Sequence, residues 1–244
     1  MLPCINELRH GYLPRILDNL MAQKGDKEII AVVSPSQDST LATVAQVPAV
    51  RVIESVARNR AQRLTEGIAV SQGEVVLLHH PATLLPPDHA LEMVDKAIAD
   101  PGVIWGGFQH QLDWHHWLLR YTSWHSNRVR PRWSGVLYLD HCIFARRSVL
   151  QAIGGVPDMD IFEDTVLSQR LRRYGAPRLL PGKVTTSARR FRDRGIYRQA
   201  LLNQVLKAMY HTGLDPGWMN HLYERQSQIN VSYSDREDGN PTNP

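Results

Sequence analysis

The chain has 244 residues, of which 43% are hydrophobic and 21% charged, a composition that fits a globular fold with enough apolar material for a sizeable core. No apolar run reaches the ~18 residues needed to span a bilayer, and L-P-C-I-N-E after Met1 lacks the basic start and apolar stretch of an export signal, so a cytoplasmic protein is expected. The net charge is +4 and Arg greatly outnumbers Lys, which favours bidentate contact with phosphate or carboxylate, while the two cysteines, Cys4 and Cys142, form no C-x-x-C metal or redox spacing.

In chain order, Leu13 to Gln23 has helical periodicity and residues 28 to 33, E-I-I-A-V-V, read as a strand buried on both faces. A helix from Asp38 to Val47, a strand over 49 to 53, a helix from Arg60 to Ser71 and a strand over 74 to 80 follow. The next helix runs from about Asp88 to Ala99. Residues 103 to 108 read as a strand, Trp114 to Asn127 as an aromatic-rich helix or helical loop, Val136 to Phe144 as a strand that delivers Asp140 to one end of the sheet, and Arg147 to Ile153 as a short helix. Residues 177 to 187 read as a strand or paired short strands. Ile196 to His211 reads as a long amphipathic helix whose Leu201, Leu202, Val205, Leu206 and Met209 belong to a core face, with Arg198 and Lys207 on a flank compatible with peripheral membrane contact. The order is that of an α/β fold with a mostly parallel central sheet flanked by helices. One domain is expected over residues 1 to 225, followed by a polar, disordered tail over 226 to 244.

Between the short helix at 147 to 153 and the strand at 177 to 187 lies G-G-V-P-D-M-D-I-F-E-D-T-V-L-S-Q-R-L-R-R-Y-G, residues 154 to 175. Gly154, Gly155 and Pro157 signal a turn, Val166, Leu167 and Leu171 recur with helical spacing, and Gly175 with Pro177 stops the run. Glu163 and Asp164 therefore open an amphipathic helix. Complementing the helix dipole, at ~0.3–1 kcal/mol, would explain two acids there. In open parallel sheets, however, ligands collect beyond the carboxyl ends of the strands, so the polar loops 33 to 40, 79 to 87, 139 to 144 and 162 to 164 are the candidate site.

In this order and at these separations the loops resemble the GT-A family 2 glycosyltransferases, most closely a compact bacterial branch that reads roughly I-P-T-L-N-E, D-G-G-S-x-D-G-T, G-R-A-R-Q, L-H-A-D-T-x-L-P-P, G-D-Q-x-x-F-x-R-R, G-G-F-x-D, E-D-x-x-L-x-x-R-L-R-R-x-G and T-S-A-R-R. This chain carries L-P-C-I-N-E at 2 to 7, N-R-A-Q-R at 59 to 63, L-H-H-P-A-T-L-L-P-P at 78 to 87 and L-D-H-C-I-F-A-R-R at 139 to 147. G-G-V-P-D follows at 154 to 158, then E-D-T-V-L-S-Q-R-L-R-R-Y-G at 163 to 175 and T-T-S-A-R-R at 185 to 190. The resemblance implies a GT-A architecture and inverting transfer from a nucleotide-sugar to an acceptor hydroxyl. Asp164 corresponds to the base, beside Glu163, and Ser36, Asp38, Arg60, Arg63, Asp140, Arg189 and Arg190 line the donor side.

The departures fall on that donor side. Ala82 stands where the family has its Mn²⁺- or Mg²⁺-binding Asp, Val33 where an Asp meets the nucleobase, Ser34 and Pro35 replace a Gly pair, and Leu139 replaces the Gly before Asp140. Three accounts follow. Arg189 and Arg190, with Arg60 or Arg63, act as a guanidinium clamp on the diphosphate; or a softer ion sits on His80 and His141, with His79 and Asp140 as further donors; or the donor site has decayed and the protein is a GT-A-like binder or scaffold. W-H-H-W at 114 to 117, with Trp124 and His125, suggests a stacking platform for an acceptor sugar or a packed helix. No recognition module accompanies the Arg runs, so no nucleic-acid partner is expected.

Overall fold

The computed structural model describes residues 1 to 224 and Val231; the expected tail at 226 to 244 otherwise lies outside the described residues. I-I-A-V-V forms β2 (Ile29–Val33), buried at every position, because it is paired in parallel on both sides: with β1 (Leu2–Cys4), Leu2 opposite Ala31, and with β3 (Val50–Glu54), Val33 opposite Glu54. The helix α1 (Tyr12–Met21) lays Leu13, Ile16 and Leu17 on this sheet, and α2 (Thr40–Ala45) packs on β2 and β3.

The second sheet has five strands in the order β4 (Val75–Leu78), β7 (Ile143–Arg146), β6 (Trp105–Leu112), β8 (Arg178–Thr186) and β5 (Thr83–Leu84). Here β6 and β8 are parallel, whereas β7 runs antiparallel to β4 and β6, and β5 antiparallel to β8. The two sheets meet at Met1, whose N donates to Leu77 O at 2.9 Å and whose O accepts from His79 N at 2.9 Å. Parallel pairing thus dominates the first half of the chain, and the α/β architecture continues into a mixed second half. Between Phe108 and Gln109 the β6–β8 register jumps by two residues on the β8 side, skipping Pro181 and Gly182, since a proline cannot donate to the ladder.

The helices α3 (Arg60–Val70), α7 (Arg147–Ala152) and α8 (Glu163–Leu171) close the main core, with Leu64, Ile68, Leu150, Leu167 and Leu171 packed on Trp105 and Ile143. On the far side α4 (Ala90–Ile98) covers Phe108 and Phe144.

Three expectations need correction. Residues 136 to 144 are not one strand: Leu139–His141 form a 3₁₀ turn and Cys142 takes a left-handed φ of 48°, so β7 begins only at Ile143 and Asp140 sits on the turn before it. The aromatic segment divides into α5 (Trp117–Trp124), a π-helical turn at His125–Val129 and α6 (Arg130–Trp133). Ile196–His211 is indeed one helix, α10, preceded by α9 (Arg189–Arg194) and followed by α11 (Pro216–Glu224), but Leu201 and Val205 are exposed and only Ile196, Gln199 and Leu206 are buried.

Gly106 occupies the tightest point of the second sheet: an added Cβ would stand 2.0 Å from Arg178 O and 2.7 Å from Phe144 Cζ. Backbone cannot yield as a flexible side chain does, so Gly106→Ala should destabilise the fold by about 1–3 kcal/mol or more, read as a lower urea midpoint.

Candidate active site

The N-R-A-Q-R motif brackets the start of α8. Asn59 accepts from Gln62 N at 2.9 Å to cap α3, and its Nδ2 donates to Asp158 at 2.7 Å and to Asp160 at 3.0 Å. The Arg60 Nε donates to Glu163 Oε1 at 2.6 Å in an ion pair whose carboxylate side chain is 1% exposed. Phe162, the residue before α8, has a left-handed φ of 65°, an uncommon conformation for a non-glycine, and its ring rests 4.8 Å from that of Tyr210.

Of the acid pair, Glu163 is thus occupied by Arg60, while Asp164 lines a cavity of about 250 Å³. Asp164 Oδ2 accepts from Leu139 N at 3.1 Å, which ties α8 to the turn carrying Asp140. Burial, with the neighbouring Glu163 charge, raises the Asp164 carboxyl to about 7 against the pull of Arg60. Asp140 also lines the cavity; burial opposes its ionisation, but His110, His141 and Arg130 outweigh it and hold the carboxyl at about 2. The His110 Nε2 lies 3.3 Å from Asp140 Oδ2.

Arg60, Arg189, Arg190 and His80 also line the cavity, as the sequence led one to expect. Arg130, Lys207 and Tyr138 line it too, and sequence reasoning missed them. Arg130 belongs to the run R-V-R-P-R and Lys207 to the flank of a helix, signals indistinguishable from a solvated face until the fold brings both over the Tyr138 ring, at 3.7 Å and 5.9 Å. Burial, and the neighbouring Arg130, lower the Lys207 ammonium to about 8. Nη1 of both Arg130 and Arg190 is buried without a hydrogen-bond partner, as is Asp140 Oδ1. Arg190 also covers the Tyr223 ring at 4.2 Å, so α11 closes one side.

Other predicted residues lie elsewhere. Ser36 and Asp38 cross-link two loops: Ser36 Oγ accepts from Asn6 N at 3.1 Å, and Asp38 accepts from Leu8 N at 3.1 Å and Thr40 N at 3.0 Å. Arg63 is buried beneath them, donating to Ser34 Oγ at 3.0 Å and Ala57 O at 3.3 Å. None of the three lines the cavity. Nor do the tryptophans of the expected stacking platform: Trp114 is half-buried against the cluster of Leu119, Ala188 and Ile196, while Trp117 and Trp124 point outward.

The residues present do not fit the family's divalent metal. His141 has both ring nitrogens engaged, with Phe108 O at 2.8 Å and Ser126 Oγ at 2.9 Å, so it offers no ligand atom. His79 is fully buried and held neutral by burial, and His80 Nδ1 faces Thr83 Oγ1 at 3.0 Å. Ala82 is buried at the carboxylate position, and among the described residues no three His, Cys, Asp or Glu side chains converge.

The Arg60–Glu163 pair yields a prediction. Arg60→Ala strands a buried carboxylate and should cost about 3–5 kcal/mol, whereas the double variant Arg60→Met/Glu163→Leu should recover most of that loss in chemical denaturation.

Comparison with known proteins bears on this geometry. A mannosyltransferase, PcManGT from Pyrobaculum calidifontis, solved with GDP-Man and Mn²⁺, superposes with a TM-score of 0.60 at 18% identity over 84% of this chain and 59% of its own. S. aureus TarS 1-349 with UDP-GlcNAc gives 0.62 at 14% identity over 76% and 57%. The chain therefore spans less than two thirds of either structure, and the likeness shows the GT-A fold. No curated protein sequence matches. The family model described as Glycosyl transferase family 2 matches residues 1–154, which takes in β1 through α7 and stops short of α8. The chain belongs to glycosyl transferase family 2.

Proposed function

We propose that the protein transfers a sugar from a nucleotide-sugar to an acceptor hydroxyl with inversion, Asp164 acting as base and guanidinium groups taking the role of the family's metal. The observation that carries this reading is one cavity holding a carboxyl raised to about 7 together with two arginines, Arg130 and Arg190, whose buried Nη1 atoms lack partners. A carboxyl near 7 matches the requirement of a general base at neutral pH. Unsatisfied buried donors favour an anionic oxygen at that place.

In the proposed step the acceptor oxygen attacks the anomeric carbon on the face opposite the diphosphate. The carbon–oxygen bond to the phosphate breaks, its electron pair leaves with the nucleoside diphosphate, and the acceptor proton passes to Asp164. Arg130, Arg190 and Arg189 neutralise charge growing on the leaving group, the commonest way a fixed electrostatic environment lowers such a barrier. Glu163 is engaged by the Arg60 guanidinium and turned away from the cavity's lining; its role is to position α8.

A second reading, a binder or scaffold without turnover, draws support from Ala82 and from the use of Ser36, Asp38 and Arg63 in internal contacts. Thermal unfolding with UDP-, GDP-, CDP- and dTDP-sugars, with and without Mn²⁺, separates the two. The enzyme reading expects one donor to raise the midpoint without Mn²⁺; no stabilisation at millimolar concentration would sink it. With that donor, Asp164→Asn should cut turnover by roughly 10²-fold or more while donor affinity persists. The sign of the pH dependence follows from Asp164: the base works ionised, so kcat should fall as pH drops below about 7 and level off above it. Arg190→Gln should instead weaken donor binding and turnover together.

A further inference from the structure

The expected core face of α10 is only partly covered: Leu206 is buried, but Leu201 and Val205 are not. Tyr197 and Leu201 are 62% and 66% exposed and Val205 is exposed with them, at helical spacing that places all three on one stripe. Trp117, Tyr121 and Trp124 form a matching exposed stripe on α5, Trp117 at 62%.

The two stripes are neighbours. At their N-terminal ends the His116 and Tyr197 rings stand 5.9 Å apart, and Leu119 packs with Ile196. Toward their C-terminal ends Arg130 and Lys207 share the Tyr138 ring. The helices therefore run side by side in the same direction. Their inner faces, through Thr122 on α5 and Asn203, Leu206 and Lys207 on α10, wall the cavity, and their outer faces carry the six apolar side chains.

Charge follows the same division. Residues 114 to 139 and 194 to 214 contain seven Lys or Arg and no Asp or Glu, leaving 21 of the 28 bases to face all 24 acids in the rest of the chain. The whole positive excess of the protein is thus concentrated in the two segments that bear the apolar stripes. Arg120, Arg128, Arg132 and Arg198 are exposed there.

We infer that the outer faces of α5 and α10 dock onto an anionic lipid bilayer. Tryptophan and tyrosine settle at the level of the lipid headgroups, where one part of the ring is apolar and the other wet. Arginines around them attract anionic headgroups, each contributing about 1 kcal/mol near the surface, and the absence of acids removes the repulsion that would oppose contact. No helix among the described residues is long and apolar enough to cross a membrane, so the contact is interfacial, with the apolar side chains inserted to the depth of the headgroup boundary. Because the inference uses only the outer faces, it stands apart from the proposed chemistry.

Vesicle flotation tests it with the full chain. Phosphatidylcholine vesicles containing phosphatidylglycerol should carry the protein upward and pure phosphatidylcholine should not, with binding falling as salt rises. Binding should blue-shift tryptophan emission. The triple variant Trp117→Ser/Trp124→Ser/Leu201→Ser, all at exposed positions, should keep its circular dichroism and unfolding midpoint and lose roughly tenfold or more of its vesicle affinity. Failure of the parent to float with anionic vesicles, or equal flotation of the triple variant, would overturn the inference. So would sedimentation showing the parent as a dimer that the triple variant dissolves, with no vesicle binding, since the stripes would then cover a second copy. If the triple variant misfolds, Arg120→Ser/Arg198→Ser, at two exposed helix positions, must reproduce the loss.

Discussion

The arrangement of the site depends on one buried ion pair. Arg60 at the start of α3 and Glu163 at the start of α8 lie about 100 residues apart in sequence, and their contact joins the part of the chain shared with the family model to the part beyond it. A buried pair of this kind contributes modestly to net stability but is costly to break, so its main effect is to fix geometry. Asn59 adds to it by holding Asp158 and Asp160, the approach to α8. With Glu163 spent on Arg60, the burden of low-dielectric surroundings falls on Asp164, and the same carboxyl fixes the turn bearing Asp140 through Leu139 N. One ion pair thereby sets the position of both cavity carboxylates.

Around those carboxylates the balance of charge is reversed from a metal site. A divalent ion needs donor atoms free to face it; Ala82 carries none, and both ring nitrogens of His141 are already engaged. Positive charge is supplied instead by Arg130, Arg189, Arg190 and Lys207. Guanidinium differs from a divalent ion in carrying one charge, in being planar and in being fixed by its packing, here on the rings of Tyr138 and Tyr223. Such groups stabilise an oxyanion by hydrogen bonds already aimed at it, which explains why their unpaired Nη1 atoms carry more weight than the number of arginines alone.

How much of this was legible in the sequence can be judged residue by residue. The buried run I-I-A-V-V, the helix from Arg60 and the acid pair opening α8 each announce themselves through local chemistry, and local chemistry decided them. The run from Val136 to Phe144 reads as a strand because its residues favour one, yet a left-handed Cys142 breaks it, and nothing in a cysteine forecasts a positive φ. Ser36 and Asp38 look like donor ligands because short polar side chains suit both ligand contact and loop cross-linking; the second use prevails here. Arg130 and Lys207 were invisible as site residues because their meaning comes from a tertiary juxtaposition across Tyr138. The stripe on α10 was misassigned for a related reason: periodicity shows that a helix has an apolar face, not what the face meets.

That last point gives the second half of the fold its logic. The cavity wall formed by α5 and the following π-helical turn is anchored to the sheet by Asn127, whose Oδ1 accepts from His110 N at 2.7 Å and whose Nδ2 donates to His110 O at 2.9 Å. Ser126 adds a bond to His141, so the wall is pinned at the very residues that flank Asp140. The π-helical turn lies between the exposed aromatics and these anchors, a place where an inserted residue allows one helix to present Trp117, Tyr121 and Trp124 outward while Ser126 and Arg130 face the cavity. Surface and site are two faces of the same wall.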